Sequence, residues 1–128
     1  RTGQEKPEND AQVIRLIFES LALRYRQVLE DLDRIATHPI ERLHIIGGGS
    51  KNRLLNQLTA NAIGRKVVAG PSEATAIGNV MIQAMAAGVV SSLQEMRSII
   101  HASVETEEFA PELVAEWEEA YQKFVTLK

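Results

Sequence analysis

The sequence predicts a helix-rich α/β fold for its 128 residues, and three observations lead to that prediction. Helical and strand-like patterns alternate along the chain, as they do in α/β domains. A short apolar strand runs directly into three consecutive glycines and then into a helix. Only two strands are recognisable, whereas an ordinary sheet has about five or six. We therefore expect the chain to complete a larger fold.

The composition is that of an ordinary globular chain, with 45% hydrophobic and 24% charged residues. The formal net charge of -3 comes from interspersed acids and bases, which gives no electrostatic reason to expect nucleic acid or an anionic membrane as a partner. No apolar run approaches the roughly 18 residues of a membrane span. The chain has no cysteine, and its histidines lack ligand spacing, so no metal site built from its side chains alone is expected.

The predicted elements begin with a polar leader, residues 1–9, that starts at Arg1 rather than Met. Such a start suits a cut inside a longer protein, although processing would give the same result. Asp10 is the predicted N-cap of a long helix over residues 11–35. Apolar residues three and four apart predict one stripe along this helix: Ile14, Ile17, Leu21, Tyr25, Val28, Leu32 and Ile35.

This first helix would be about 37 Å long, which is more than a small domain needs. We therefore expect it to pack against chain that is absent here. Glu30 and Arg34 are predicted to form an ion pair on its polar face. Strands are predicted over residues 40–46 and 66–69, with a helix between them that restarts near Lys51.

Glycines and capping residues predict where the remaining helices begin and end. Gly64 ends the second helix. Ser72 is the predicted N-cap of a third helix, which Gly88 ends, and Ser92 opens a fourth. Pro111 suits the first residue of the last helix. The apolar stripe of that last helix consists of Leu113, Val114, Trp117, Tyr121 and Phe124.

The glycine loop, residues 47–50, is the most informative feature of the sequence. Glycine lets a backbone approach a ligand closely, and the amides at the start of the next helix are unsatisfied. The combination suits a phosphate or a nucleotide. The loop is not a P-loop, and it fails the dinucleotide pattern because Asn52 stands where the third glycine belongs. A tight turn without any ligand is the competing interpretation.

Polar residues near the loop each have a functional and a structural interpretation. The Asn52 amide can meet a purine or ribose edge, or it can cap the helix. Ser50 is predicted to be an N-cap, and Gln57 is predicted to be structural. Lys51 can reach a phosphate, although an exposed lysine is usually solvated.

The third helix carries unusually small side chains. Gly78 in its interior costs about 1 kcal/mol relative to alanine, which close packing against another backbone would offset. Glu73 suits the positive end of the helix dipole, and we favour that role over a catalytic one. Met81 and Met85 are predicted to be core residues.

Two stretches together resemble the signature of the FGGY carbohydrate kinases. They are residues 45–62, IIGGGSKNRLLNQLTANA, and residues 70–79, GPSEATAIGN, within a resemblance that runs from about residue 40 to residue 90. The second stretch is more similar to the rhamnulose-phosphorylating branch of the family than to its xylulose or glycerol kinases. Asn61 departs from the family, where many members have Asp, and we expect a structural role for it.

The resemblance implies an actin-like (ribonuclease H-like) fold of two α/β domains, with residues 10–128 as the C-terminal part of the second. It also implies a cytoplasmic enzyme that transfers the γ-phosphoryl group of ATP to a sugar hydroxyl. By motif position, Gly47, Gly48 and Gly49 would contact the nucleotide through their backbone. Asn52 would lie beside the base. Mg²⁺ would be held mainly by the phosphates and by residues outside this chain.

Much of such a kinase is missing from the sequence. The family's catalytic Asp, sugar-binding residues and first phosphate-binding segment lie upstream, so no residue here is predicted to be catalytic. One hypothesis is an adenosine half-site from a kinase of rhamnulose, or of another ketose such as xylulose. A second is a non-catalytic module that binds a nucleotide or a partner. A third is a folded piece that self-associates through surfaces meant for the missing chain.

Overall fold

The computed structural model describes residues 5–127, so residues 1–4 of the predicted leader lie outside it. These residues form five α-helices, one 3₁₀ turn and three β-strands. In chain order the elements are α1 (Asp10–Ile35), β1 (Arg42–Ile45), the 3₁₀ turn (Gly48–Lys51), α2 (Arg53–Ile63), β2 (Lys66–Ala69), α3 (Ala74–Ala86), α4 (Leu93–Ser103), β3 (Glu107–Phe109) and α5 (Val114–Thr126).

The three strands form one sheet in the order β1-β2-β3. β1 runs parallel to β2, and β3 pairs with β2 in the antiparallel direction. The prediction of only two strands is therefore wrong. β3 escaped detection because two of its three residues are glutamates and Phe109 is its one buried side chain. β2 has the predicted bounds, whereas β1 is shorter than the predicted 40–46.

α1 packs on the rest of the chain by a face that the apolar pattern did not indicate. Ala22, Leu23 and Leu29 are its buried residues. The predicted stripe is left uncovered, with exposed fractions from 37% at Leu21 to 78% at Ile35. Apolar residues lie on two sides of α1, and this chain covers only the side against α2, the sheet and α5.

Ion pairs also differ from the expected pattern on α1. Glu30 accepts hydrogen bonds from Arg26 and from the Tyr121 hydroxyl, so the predicted Glu30–Arg34 pair is not formed. Arg34 instead donates to Asp31 at 2.8 Å. Glu30 has these partners because α5 brings the Tyr121 hydroxyl within hydrogen-bond distance of it. The residue pattern of α1 alone carries no information about α5.

Three predicted helix starts are wrong by one to three residues. Asn9, not Asp10, caps α1, since its side chain accepts the N–H of Gln12 at 3.0 Å. Ser72 does not cap α3, which begins after Glu73 without a side-chain cap. α5 begins at Val114, so Pro111 lies outside the helix. The residue before α5, Leu113, has a φ of 53° in the left-handed region.

Other helix ends lie where the sequence predicted them. Gly64 and Gly88 follow α2 and α3 with φ of 64° and 74°, which glycine adopts without steric cost. Ser92 caps α4 by accepting the N–H of Glu95 at 3.1 Å.

The helices α3 and α4 form a small apolar cluster of their own. Met81, Val90 and Met96 are buried in it, and Met85 packs against them, which confirms both methionines as core residues. A Cβ added at Gly78 would meet no atom within 4 Å, so the predicted close packing at Gly78 is wrong for this chain. Along residues 5–127, every helix is too short or too polar to cross a membrane.

Candidate functional site at the glycine loop

The glycine loop follows the carboxyl end of β1, the edge at which open α/β sheets bind ligands. Gly47 has φ of 79° and ψ of -166°, a conformation that is open essentially to glycine alone. Its N–H donates to the Pro71 carbonyl at 3.0 Å, and the Gly70 N–H donates to Ile45 at 2.8 Å. These two bonds join the loop to the start of the second sequence motif.

Gly48 and Gly49 have a different explanation from Gly47. Neither has a positive φ. A Cβ at Gly48 would meet nothing within 4 Å, and one at Gly49 would meet only the Ile45 side chain at 3.9 Å. Their N–H groups find no acceptor among residues 5–127. No contact among residues 5–127 demands glycine at these two positions, and their backbone is exposed with its N–H groups unsatisfied by those residues.

The N-cap of α2 is Asn52, which was one of its two expected roles, and not Ser50. Ser50 is buried, and its hydroxyl donates to the Gly47 carbonyl at 2.8 Å, so its predicted capping role is wrong. Asn52 is the N-cap, and its Oδ1 accepts the N–H of Leu55 at 3.1 Å. The cap uses only the amide oxygen. In the described part of the chain, the Asn52 amide nitrogen makes no hydrogen bond and is free to donate.

Gln57 and Asn61 are structural, as predicted. Gln57 donates to Asn61 Oδ1 and to the Ala110 carbonyl, both at 2.8 Å. Asn61 Oδ1 also accepts the Glu112 N–H at 2.9 Å. The two side chains therefore hold the segment before α5 against α2.

Asn56 is a residue near the loop that sequence reasoning missed. It is fully buried, and its Nδ2 donates to the Ser50 carbonyl at 2.8 Å. Its Oδ1 has no hydrogen-bond partner among residues 5–127. The available signal was an amide side chain four positions after Asn52, on the same helix as Leu54, Leu55 and Leu58.

A crevice of about 630 Å³ lies between the loop, the Gly-Pro segment and the segment before β3. Lys51 lies in its wall together with Glu73 and Glu107. Glu107 is already paired with Arg53, at 2.6 Å. Residues 5–127 contain no group of three carboxylates or histidines that could hold a metal ion. The crevice therefore offers a wall of mixed charged and apolar character next to the end of the glycine loop, at Ser50 and Lys51.

The fold recurs in a solved structure, that of xylulose kinase from Rhodospirillum rubrum. The TM-score is 0.76 at 23% identity, and the match covers 98% of this chain and 25% of that one. By fold, the chain is thus part of an α/β domain of the type found in that kinase. Residues 1–87 match the FGGY family of carbohydrate kinases, C-terminal domain. The chain therefore belongs to the FGGY family of carbohydrate kinases.

Relatives in this family include several bacterial proteins called rhamnulokinase. The protein of Bacteroides thetaiotaomicron is 59% identical over 123 residues, which make up 96% of this chain and 25% of the relative. The proteins of Klebsiella pneumoniae subsp. pneumoniae and Pectobacterium atrosepticum are 46% and 40% identical, over 85% and 98% of this chain. The chain spans about a quarter of the length of these relatives.

These matches confirm the two broadest predictions from the sequence. The chain is similar to a C-terminal portion of FGGY carbohydrate kinases, with rhamnulokinases among its relatives. Its fold is the helix-rich α/β type expected for an actin-like ATPase domain. The site assignments to Gly47, Gly48, Gly49 and Asn52 stay predictions.

Proposed function

We propose that this chain supplies the adenosine side of the ATP site in a carbohydrate kinase. The observation that carries the proposal is the pair Gly48 and Gly49, at which neither backbone conformation nor packing among residues 5–127 requires glycine. Their free N–H groups would donate to the nucleotide, with Gly47 setting the turn. The free amide nitrogen of Asn52 would donate to the base or the ribose.

The relatives support a proposal for the longer parent protein. We propose that it transfers the γ-phosphoryl group of ATP to L-rhamnulose, giving L-rhamnulose 1-phosphate, in the cytoplasm. The names of relatives up to 59% identical support rhamnulose as the sugar. Mg²⁺ would neutralise charge on the phosphates, held mainly by them and by residues outside this chain. No residue of this chain is assigned to proton transfer or to sugar binding.

The nucleotide proposal is tested by titrating the isotope-labelled chain with Mg-ATP and following its amide resonances. We expect saturable shifts centred on residues 47–52, with an affinity near millimolar, or about 4 kcal/mol, because half the usual contacts are missing. Gly48→Val should abolish the shifts, since its side chain would occupy the ligand's space. Gly78→Val is the matched control, because a Cβ at Gly78 also meets no atom within 4 Å. A well-dispersed spectrum in which no resonance moves would refute the half-site in this chain.

The sugar assignment is tested on the longer parent protein. We expect it to phosphorylate rhamnulose with a higher kcat/KM than xylulose. The 128-residue chain is the negative control and should show no turnover. A preference for xylulose would contradict the rhamnulose assignment, and turnover by the chain alone would contradict the absence of catalytic residues from it.

A further inference from the structure

The backbone between the 3₁₀ turn and α2 leaves helical geometry at Asn52, which has φ of -86° and ψ of 85°. In an unbroken helix the Ser50 carbonyl would accept the N–H four residues later. Here no backbone N–H of the described residues reaches it. The side chain of Asn56 takes that place, with its Nδ2 at 2.8 Å from the Ser50 oxygen.

Asn56 is an unfavourable residue for stability alone. It is 0% exposed, and its Oδ1 is buried without a partner among residues 5–127. Such an oxygen loses its hydrogen bonds to water on folding and gains no hydrogen bond within the described residues to replace them. An apolar side chain of similar shape would avoid that loss. What Asn56 adds, and an apolar residue would not, is the single bond to the loop.

That bond continues into the loop through Ser50. The Ser50 hydroxyl and the Ser50 N–H both donate to the Gly47 carbonyl, at 2.8 Å and 3.0 Å. The Gly49 carbonyl accepts the N–H of Asn52 at 3.1 Å. Loop carbonyls are thereby satisfied from within the protein, which leaves the N–H groups of Gly48 and Gly49 on the outside.

We propose that Asn56 is a positioning residue. Its buried side chain holds the glycine loop in the conformation that leaves the N–H groups of Gly48 and Gly49 exposed. The inference rests on the proposed nucleotide site. Being fully buried, Asn56 does not touch the nucleotide and acts through Ser50 and Gly47. Its loss therefore weakens ATP binding, and it leaves sugar binding and the chemical step unchanged.

The loop part of the inference is tested in this chain with Asn56→Leu and a matched control, Thr59→Val. Thr59 is also fully buried on α2, and its hydroxyl donates to the Leu55 carbonyl at 2.7 Å, away from the loop. We expect the Ser50 and Asn52 amides to exchange with solvent about tenfold faster in Asn56→Leu, relative to the α2 amides. Thr59→Val should leave that ratio unchanged. Asn56→Ala also removes the donor without introducing a charge and should act like Asn56→Leu.

The ligand part is tested in the longer parent kinase by steady-state kinetics. Asn56→Leu should raise the KM for ATP about tenfold while kcat and the KM for the sugar stay within about twofold. Thr59→Val should change none of the three. A purely structural role would lower the amount of active enzyme without this selective change in KM.

The outcomes separate this inference from the proposed function. Unchanged loop exchange in both Asn56 variants would overturn the inference, even if the wild-type chain binds ATP. Faster loop exchange with an unchanged KM for ATP would also overturn it. If neither the wild-type chain nor the kinase binds ATP, the proposed function fails, and the ligand part of the inference fails with it.

Discussion

At the scale of single residues, three adjacent glycines serve two different purposes. Gly47 is required by its positive φ, which a side chain would strain. Gly48 has an ordinary backbone and open space where its side chain would be. The sequence does not reveal this difference, because a glycine that the backbone geometry requires and one that it does not require are the same letter.

The difference predicts opposite effects of the same substitution on stability. Gly47→Ala should lower the free energy of unfolding of the chain by about 1–3 kcal/mol, because φ of 79° with ψ of -166° is a backbone conformation essentially restricted to glycine. Gly48→Ala should leave it unchanged or raise it by up to about 1 kcal/mol, because alanine restricts the unfolded chain without strain. Urea denaturation of the two variants and the wild type measures both. An equal decrease in the free energy of unfolding of both variants would contradict the different backbone requirements at Gly47 and Gly48.

At the scale of elements, one cluster of polar side chains joins α1 to α5. The Arg26 guanidinium lies 4.0 Å from the centre of the Tyr121 ring and also pairs with Glu30 and Glu118. The Tyr121 hydroxyl donates to Glu30 at 2.7 Å. Burial, followed by this bond to the Glu30 carboxylate, raises the pKa of Tyr121 to about 12. The cluster connects two helices that lie far apart in sequence.

Tyr121→Phe is predicted to weaken the contact between these helices. Near pH 7 we expect the free energy of unfolding to fall by about 0.5–1.5 kcal/mol, since one hydrogen bond is lost and the ring remains. The pKa of Tyr121 is higher in the folded state than its ordinary value of 10.0. The stability it contributes is therefore complete below about pH 10 and is lost as the pH rises through 12.

The measurement is urea denaturation of wild type and Tyr121→Phe between pH 7 and pH 12. The difference in the free energy of unfolding between the two proteins should decrease above pH 10. Tyr25→Phe is the control, because Tyr25 is 39% exposed on α1 and its loss should change stability by less than about 0.5 kcal/mol. A difference that stays constant to pH 12 would contradict the raised pKa of Tyr121 in the folded state.

At the scale of the whole molecule, an apolar surface remains uncovered. The stripe of α1 lies beside β1, which is an edge strand of the sheet. Between them is a groove of about 600 Å³, whose wall includes Val28, Leu32 and Leu43. An exposed strand edge next to an apolar face favours association with other chains.

We therefore predict that the 128-residue chain associates with itself as its concentration rises. The double substitution Val28→Glu with Leu32→Glu should keep it monomeric, because charges in the groove oppose burial. Val80→Glu is the control, since Val80 is 62% exposed on α3, away from the groove. Sedimentation equilibrium over a hundredfold concentration range measures the oligomeric state of each protein. A monomeric wild type, or an equal effect of the control, would contradict this prediction.

Local features were readable from the sequence, because they depend on residues that are neighbours in the chain. The bounds of β2, the glycines after α2 and α3, and the Ser92 cap all follow from short-range backbone and hydrogen-bond preferences. The FGGY motif was readable for the same reason, as a run of residues at fixed spacing.

Features that depend on distant partners were decided only by the tertiary structure. The buried face of α1 follows from the neighbours that this chain supplies, and β3 exists because Phe109 pairs beside Val67. In the candidate site, the position of the cap at Asn52 and the bond from Asn56 to Ser50 follow from the break in the helix. Periodicity marks a side chain as apolar or polar, but packing free energy between distant segments decides which neighbour it meets.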